Sequence, residues 1–125
     1  MSQPTRIIPI YNSHGEAEAF LVFPHLFSRT GEWIGWITPQ KEVYSVMGYY
    51  VGTLSDDARI LRKRSEDDMR SRLKPPAVPK RITTPAQVPL APMLKELTHS
   101  LIDVLIEEPD RLHTLDSGEF REDMD

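Results

Sequence analysis

The chain has 125 residues, with 19 acidic and 15 basic side chains that give a net charge of −4 at neutral pH. It contains no cysteine, which excludes disulfides, thiolate metal sites and cysteine nucleophiles. The first residues carry no apolar run of signal-peptide length and no stretch reaches transmembrane length, so we expect a soluble, cytoplasmic protein without membrane contact.

A short repeated unit dominates the first half of the sequence. Residues 31–37, GEWIGWI, align with residues 48–54, GYYVGTL, so that glycine, aromatic and branched aliphatic residues coincide. A weaker copy occupies residues 10–21, and residues 60–62 begin a fourth copy that is not visibly completed. Self-similarity of this kind indicates one supersecondary unit repeated along the chain.

Each copy has the features of a β-hairpin. Pairs of aliphatic and aromatic residues favour strands, and the segments 12–15 and 28–31 have the polar residues and glycine of tight turns. Strict alternation would place Trp33, Gly35 and Ile37 on one face. It would then place Trp33 and Trp36 on opposite faces, so that either both faces are covered or one tryptophan is available to a partner.

The repeat, clearest in VYSVMGYYVGTL at residues 43–54, resembles the bacterial "4-fold beta flower" domains over about residues 8–63. The resemblance implies four hairpins arranged with pseudo-fourfold symmetry. It implies no known activity and no catalytic residues. The chain departs from a regular pattern at Glu18, which stands where Ile34 and Val51 stand in the other copies.

The predicted fold is mainly β, and α+β overall: an antiparallel module of three to four hairpins, a proline-rich arm and one C-terminal amphipathic helix. The predicted segments are a hairpin module at 7–63, a basic, proline-rich linker at 64–92 with a short helix at 65–73, the amphipathic helix at 93–108, and an acidic, disordered tail at 109–125.

The C-terminal helix is predicted from an apolar stripe at helical spacing between Pro92 and Pro109. The stripe consists of Leu94, Leu97, Leu101, Val104 and Leu105. Such a helix is too apolar to remain free in water. We expect it either to dock on the chain's own sheet or to pair with another subunit.

The charges are unevenly distributed. Residues 59–81 contain nine basic and three acidic residues, whereas residues 103–125 contain nine acidic and two basic ones. The two segments either neutralise each other or leave the basic one to bind nucleic acid. The candidate nucleic-acid contacts are Arg59, Arg62, Lys63, Arg64, Arg70 and Arg72.

No constellation of residues indicates chemistry. The four histidines lack metal-ligand spacing, and no glycine-rich phosphate-binding motif is present. We therefore predict no enzyme, no catalytic residue, no cofactor and no metal. The expected function is a protein-interaction or assembly module that binds itself or another protein through the helix stripe together with Trp33 and Trp36. The alternative is a nucleic-acid-binding protein that uses the basic segment 59–81 beside the aromatic sheet.

Overall fold

The computed structural model describes residues 6–65 and 70–116. Eight antiparallel strands form one sheet whose spatial order follows the chain, which confirms the mainly β prediction. The elements are β1 Ile8–Tyr11, β2 Ala17–Val22, β3 His25–Ser28, β4 Trp33–Ile37, β5 Glu42–Ser45, β6 Tyr50–Leu54, β7 Ile60–Lys63, β8 Leu101–Asp103 and α1 Val104–Glu107. Within those two ranges, no helix has the length and apolar character needed to cross a membrane.

The first three hairpins turn on the same kind of loop. We name these loops the first tip (residues 12–16), the second tip (residues 28–32) and the third tip (residues 45–49). The first residue of each tip accepts backbone hydrogen bonds through its side chain, as Ser28 Oγ does from the amides of Thr30 and Glu32, each at 3.2 Å. The fourth position is glycine with positive φ in all three: Gly15, Gly31 and Gly48.

The core lies where the hairpins meet. The same position in the first strand of each unit is held by Ile10, Leu26, Val43 and Ile60, and none of the four is more than 1% exposed. Four aliphatic side chains at one level of a fourfold arrangement exclude water from its centre, and this burial drives the assembly of the hairpins.

The predicted division of the two tryptophans between opposite faces is wrong. A β-bulge in the second hairpin pairs Leu26 with Gly35 but Phe27 with Trp33, which leaves Ile34 as an extra residue. The extra residue shifts the alternation by one, so Ile34 points into the main core. Trp33 and Trp36 then pack in one second cluster, built around Phe27.

The predicted helix over residues 93–108 is also wrong. Residues 93–98 have no regular structure, Leu101–Asp103 form β8, and only Val104–Glu107 are helical. β8 pairs with β7, with Arg62 opposite Ile102, and so completes the fourth hairpin after the long excursion of residues 64–100. Burial of Ile102 and Val104 in the core, together with the pairing of β8 with β7, outweighs the helical preference of the isolated segment.

Two other predicted segments lie partly outside the described residues. Of the helix predicted at 65–73, the described residues 65 and 70–73 are not helical, and residues 66–69 fall outside the described ranges. Of the tail predicted as disordered from residue 109, residues 109–116 are folded: Pro109–Arg111 form a 3-10 turn and Leu112 is buried in the core. Residues 117–125 fall outside the description.

Candidate functional site

The proline-rich arm, residues 70–100, runs across the hairpin tips in reverse order. The Leu73 amide donates to the Gly48 carbonyl at 3.0 Å on the third tip, and the Ile82 amide donates to the Gly31 carbonyl at 3.1 Å on the second tip. Farther along, the Tyr11 hydroxyl donates to the Pro89 carbonyl at 2.8 Å beside the first tip. The arm is therefore a strap over the tips rather than a free linker.

An arginine strengthens each of the first two contacts. The Arg72 Nε donates to the Met47 carbonyl at 2.5 Å, and the Arg81 Nη2 donates to the Thr30 carbonyl at 3.1 Å. Each carbonyl belongs to the residue before the tip glycine, so the two contacts are geometrically equivalent. We call the pair of contacts at one tip a clamp. In a clamp, an arginine of the arm donates to the carbonyl of the residue before the tip glycine, and the backbone amide of the next arm residue donates to the carbonyl of the glycine itself.

The clamps have a sequence signal that the sequence analysis missed. Arg72-Leu73 recurs nine residues later as Arg81-Ile82, and Pro76-Ala77 recurs as Pro85-Ala86. A further nine residues lead to Leu90-Ala91, which lies at the first tip. The arm is thus a nonapeptide repeat whose period matches the distance along the arm from one tip to the next.

The third arm repeat does not form a clamp. Leu90 takes the arginine position and is 95% exposed. Among the described residues, no hydrogen bond joins Ala91 to Gly15. A Cβ added at Gly15 would lie 3.9 Å from the Ala91 Cβ, whereas one at Gly31 would lie 1.9 Å from the Ile82 carbonyl oxygen. The arm therefore sits farther from the first tip than from the other two.

Replacing Leu90 by arginine is expected to complete the missing clamp. The new guanidinium would donate to the His14 carbonyl, as Arg81 does to Thr30, and would remove an exposed leucine from water. We expect the free energy of unfolding to rise by about 1 kcal/mol, the typical net contribution of one hydrogen bond. Urea unfolding measures it, with Gln87→Arg as the control, because Gln87 is also exposed on the arm but does not occupy the arginine position of an arm repeat. An equal gain in both variants would contradict the clamp.

A buried polar cluster joins the arm to the sheet beside the first and fourth hairpins. Arg59, which is 2% exposed, donates to both carboxylate oxygens of Asp57, at 3.0 and 2.5 Å. It also donates to Ser13 Oγ at 2.9 Å and to the Lys95 carbonyl at 2.7 Å. Hydrogen bonding to Arg59 is the main cause that lowers the pKa of Asp57 to about 2. A second carboxylate, on Asp103, accepts from the amide and hydroxyl of Ser13, both at 2.6 Å.

Most of the candidate nucleic-acid contacts have carboxylate or carbonyl partners within the chain. Arg59, Arg62, Arg64 and Arg70 pair with Asp57, Glu108, Glu107 and Glu42, and Arg72 holds the third tip. Lys63 is exposed at the end of β7. The pairs with Glu107 and Glu108 join the basic segment to the acidic one, as the neutralisation alternative predicts. A phosphate would have to compete with these partners.

The predicted contact stripe does not remain on one surface. Val104 is fully buried in the core, Leu105 packs against it, and Trp33 is 7% exposed. Leu97 and Leu101, in contrast, line an open groove of about 610 Å³. Leu94 and Trp36 are half-buried. Of the seven candidate residues, Leu97 and Leu101 therefore lie together in this groove.

The groove separates the arm from the fourth hairpin. Its apolar lining consists of Leu61, Pro92, Met93, Leu97 and Leu101. The Met93 side chain is 93% exposed at the edge of the groove. Lys95, Glu96 and Asp56 add both signs of charge around it. Among the described residues, no group of three or more histidine, aspartate or glutamate side chains is arranged to hold a metal ion. The groove is therefore a concave, largely apolar surface bordered by charged side chains.

Comparison with known proteins identifies a family. The family described as "4-fold beta flower protein" matches residues 8–100, which confirms the resemblance seen in residues 8–63 and extends it through the arm. No curated protein and no solved structure matches the chain.

Proposed function

The chain belongs to the 4-fold beta flower family, and because that description names a fold and no activity, we propose from the geometry that it is a non-enzymatic module that self-associates through the groove. The observation that carries the proposal is the exposed Met93 beside the apolar groove. A flexible thioether side chain that is exposed to solvent beside an open apolar groove is typical of a protein-binding surface.

Self-complementarity favours a second copy of the chain as the occupant. A twofold arrangement brings the same surface of two molecules together, so each must offer both a projection and a receptor. Met93 supplies the projection, and Leu97 and Leu101 supply the receptor next to it. The neighbouring Lys95 and Glu96, both exposed, would meet their opposite charges across the axis.

Replacing Met93 by glutamate tests the proposal. We expect the unmodified chain to have twice the chain mass by light scattering at tens of micromolar. The glutamate would place an unpaired charge in the apolar contact, and we expect the dimer dissociation constant to rise at least tenfold. Because Met93 is exposed, the variant should unfold at the same urea concentration as the unmodified monomer.

Val78→Glu is the matched control, since Val78 is another exposed apolar residue of the arm, 62% exposed, outside the groove. It should leave the dimer unchanged. A monomeric unmodified chain, or an equal effect of the two variants, would contradict self-association through the groove.

A further inference from the structure

The two clamps define what a hairpin tip binds. In both, a guanidinium reaches the carbonyl before the tip glycine, and the following aliphatic residue donates its amide to the glycine carbonyl. The arm residue after the arginine is Leu73 in one clamp and Ile82 in the other. The ligand of a tip is therefore an extended segment with arginine followed by leucine or isoleucine.

The first tip has the same turn as the other two. Asn12 Oδ1 accepts from the amides of His14 at 2.9 Å and Glu16 at 3.1 Å, as Ser28 Oγ does in the second tip. The φ angle of Gly15 is +82°, against +86° for Gly31. The carbonyls of His14 and Gly15 thus stand where the clamp acceptors stand at the other tips.

The arm does not use these acceptors. Within the described residues, the first tip has no hydrogen bond to residues 90 and 91 of the arm. The nearest hydrogen bond joins the Tyr11 hydroxyl to the Pro89 carbonyl. Leu90 and Ala91 also lack the guanidinium and the large aliphatic side chain that the other two arm repeats have at these positions.

We propose that the first tip is a docking site for an extended segment of a partner protein that carries arginine followed by leucine or isoleucine. The partner's guanidinium donates to the His14 carbonyl and its next amide donates to the Gly15 carbonyl. Leu90 and Ala91 move aside, while the clamps at the second and third tips keep the rest of the arm in place. The site lies on the tip and not in the groove, so it does not depend on self-association.

A peptide of residues 71–79 of this chain, acetylated and amidated, is the probe, because it contains the Arg72-Leu73 pair in its natural context. It is titrated into the isotopically labelled full chain while backbone amide shifts are recorded. We expect saturable shifts at His14 and Gly15 in the millimolar range. The tethered clamps at Gly31 and Gly48 should not respond, because the arm competes there at high effective concentration. The same peptide with Arg72→Ala should bind at least tenfold more weakly.

A variant of the protein provides the second part of the test. Leu90→Arg combined with Ala91→Ile fills the first tip from within the chain, and the shifts at Gly15 should disappear while the spectrum elsewhere is retained. Peptide binding that survives in this variant, or shifts centred on the other tips, would overturn the proposal. Shifts at His14 that depend on protein concentration without any peptide response would also overturn it, in favour of a second copy as the occupant.

Discussion

Replacing Gly48 by alanine is expected to destabilise the protein by about 3 kcal/mol. A Cβ at this position would lie 2.0 Å from the Leu73 carbonyl oxygen, a distance that forces the arm off the third tip. The loss combines about 1 kcal/mol for an L-residue at φ +91° with the loss of the two hydrogen bonds of the clamp. Urea unfolding measures the free energy, and tryptic cleavage after Arg72 and Lys80 reports release of the arm.

Gly15→Ala is the matched control for the clamp. Gly15 has nearly the same positive φ, +82°, but the nearest atom to an added Cβ is 3.9 Å away. It should cost only the conformational term, about 1 kcal/mol. The same turn position is occupied by Ala58 at φ +61° in the loop before β7, which shows that the backbone tolerates alanine there. Equal losses in the two variants would mean that the arm contact contributes nothing to stability.

Replacing Asp57 by asparagine is expected to cost about 3 kcal/mol at neutral pH. The change removes the counter-charge of Arg59, which stays buried, and an uncompensated buried charge is strongly destabilising. Asp56→Asn is the control, because the neighbouring Asp56 side chain is 94% exposed and, among the described residues, pairs only with Lys41, at 3.5 Å. It should change the free energy of unfolding by less than about 0.5 kcal/mol.

The same carboxylate makes stability depend on pH. The pKa of Asp57 is about 2 in the folded protein, against 3.8 as its ordinary value, so the folded state favours the ionised form. Its contribution is complete above about pH 5 and is lost as the pH falls towards 2, which amounts to about 2 kcal/mol. The difference in unfolding free energy between the unmodified chain and Asp57→Asn should therefore shrink over that range. A difference that stays constant would contradict the ion pair.

In this chain the arm is part of the fold together with the hairpins. The hairpins alone bury an aliphatic centre, and their tips present backbone carbonyls as hydrogen-bond acceptors. Clamps on the second and third tips satisfy them from within the chain. The family match runs through the arm to residue 100, so the arm and the hairpins are matched together. Both proposed surfaces, the groove and the first tip, lie beside the last part of the arm, where its repeat loses the clamp residues.

The repeated hairpins could be predicted from local signals in the sequence. The pairing of aliphatic and aromatic residues and the glycine at each tip are local signals, because positive φ and strand propensity act within a few residues. They located the first seven strands of the module and the family resemblance. The sequence also contained the nonapeptide signal of the arm, in Arg72-Leu73 and Arg81-Ile82, which could have been found by comparing the arm with itself.

The rest of the fold depends on contacts between distant segments. The stripe from Leu94 to Leu105 satisfies helical spacing, yet β7 needs a partner strand, and residues 101–103 supply it from far along the chain. A local pattern cannot report such a pairing, because the free energy that decides it comes from contacts between distant segments. The bulge at Ile34 likewise depends on the neighbouring strand, and it moved Trp33 and Trp36 onto one face. Burial within the assembled hairpins then removed Val104 from the candidate surface and left Leu97 and Leu101 on it, because the groove exists only once the arm has folded over the fourth hairpin.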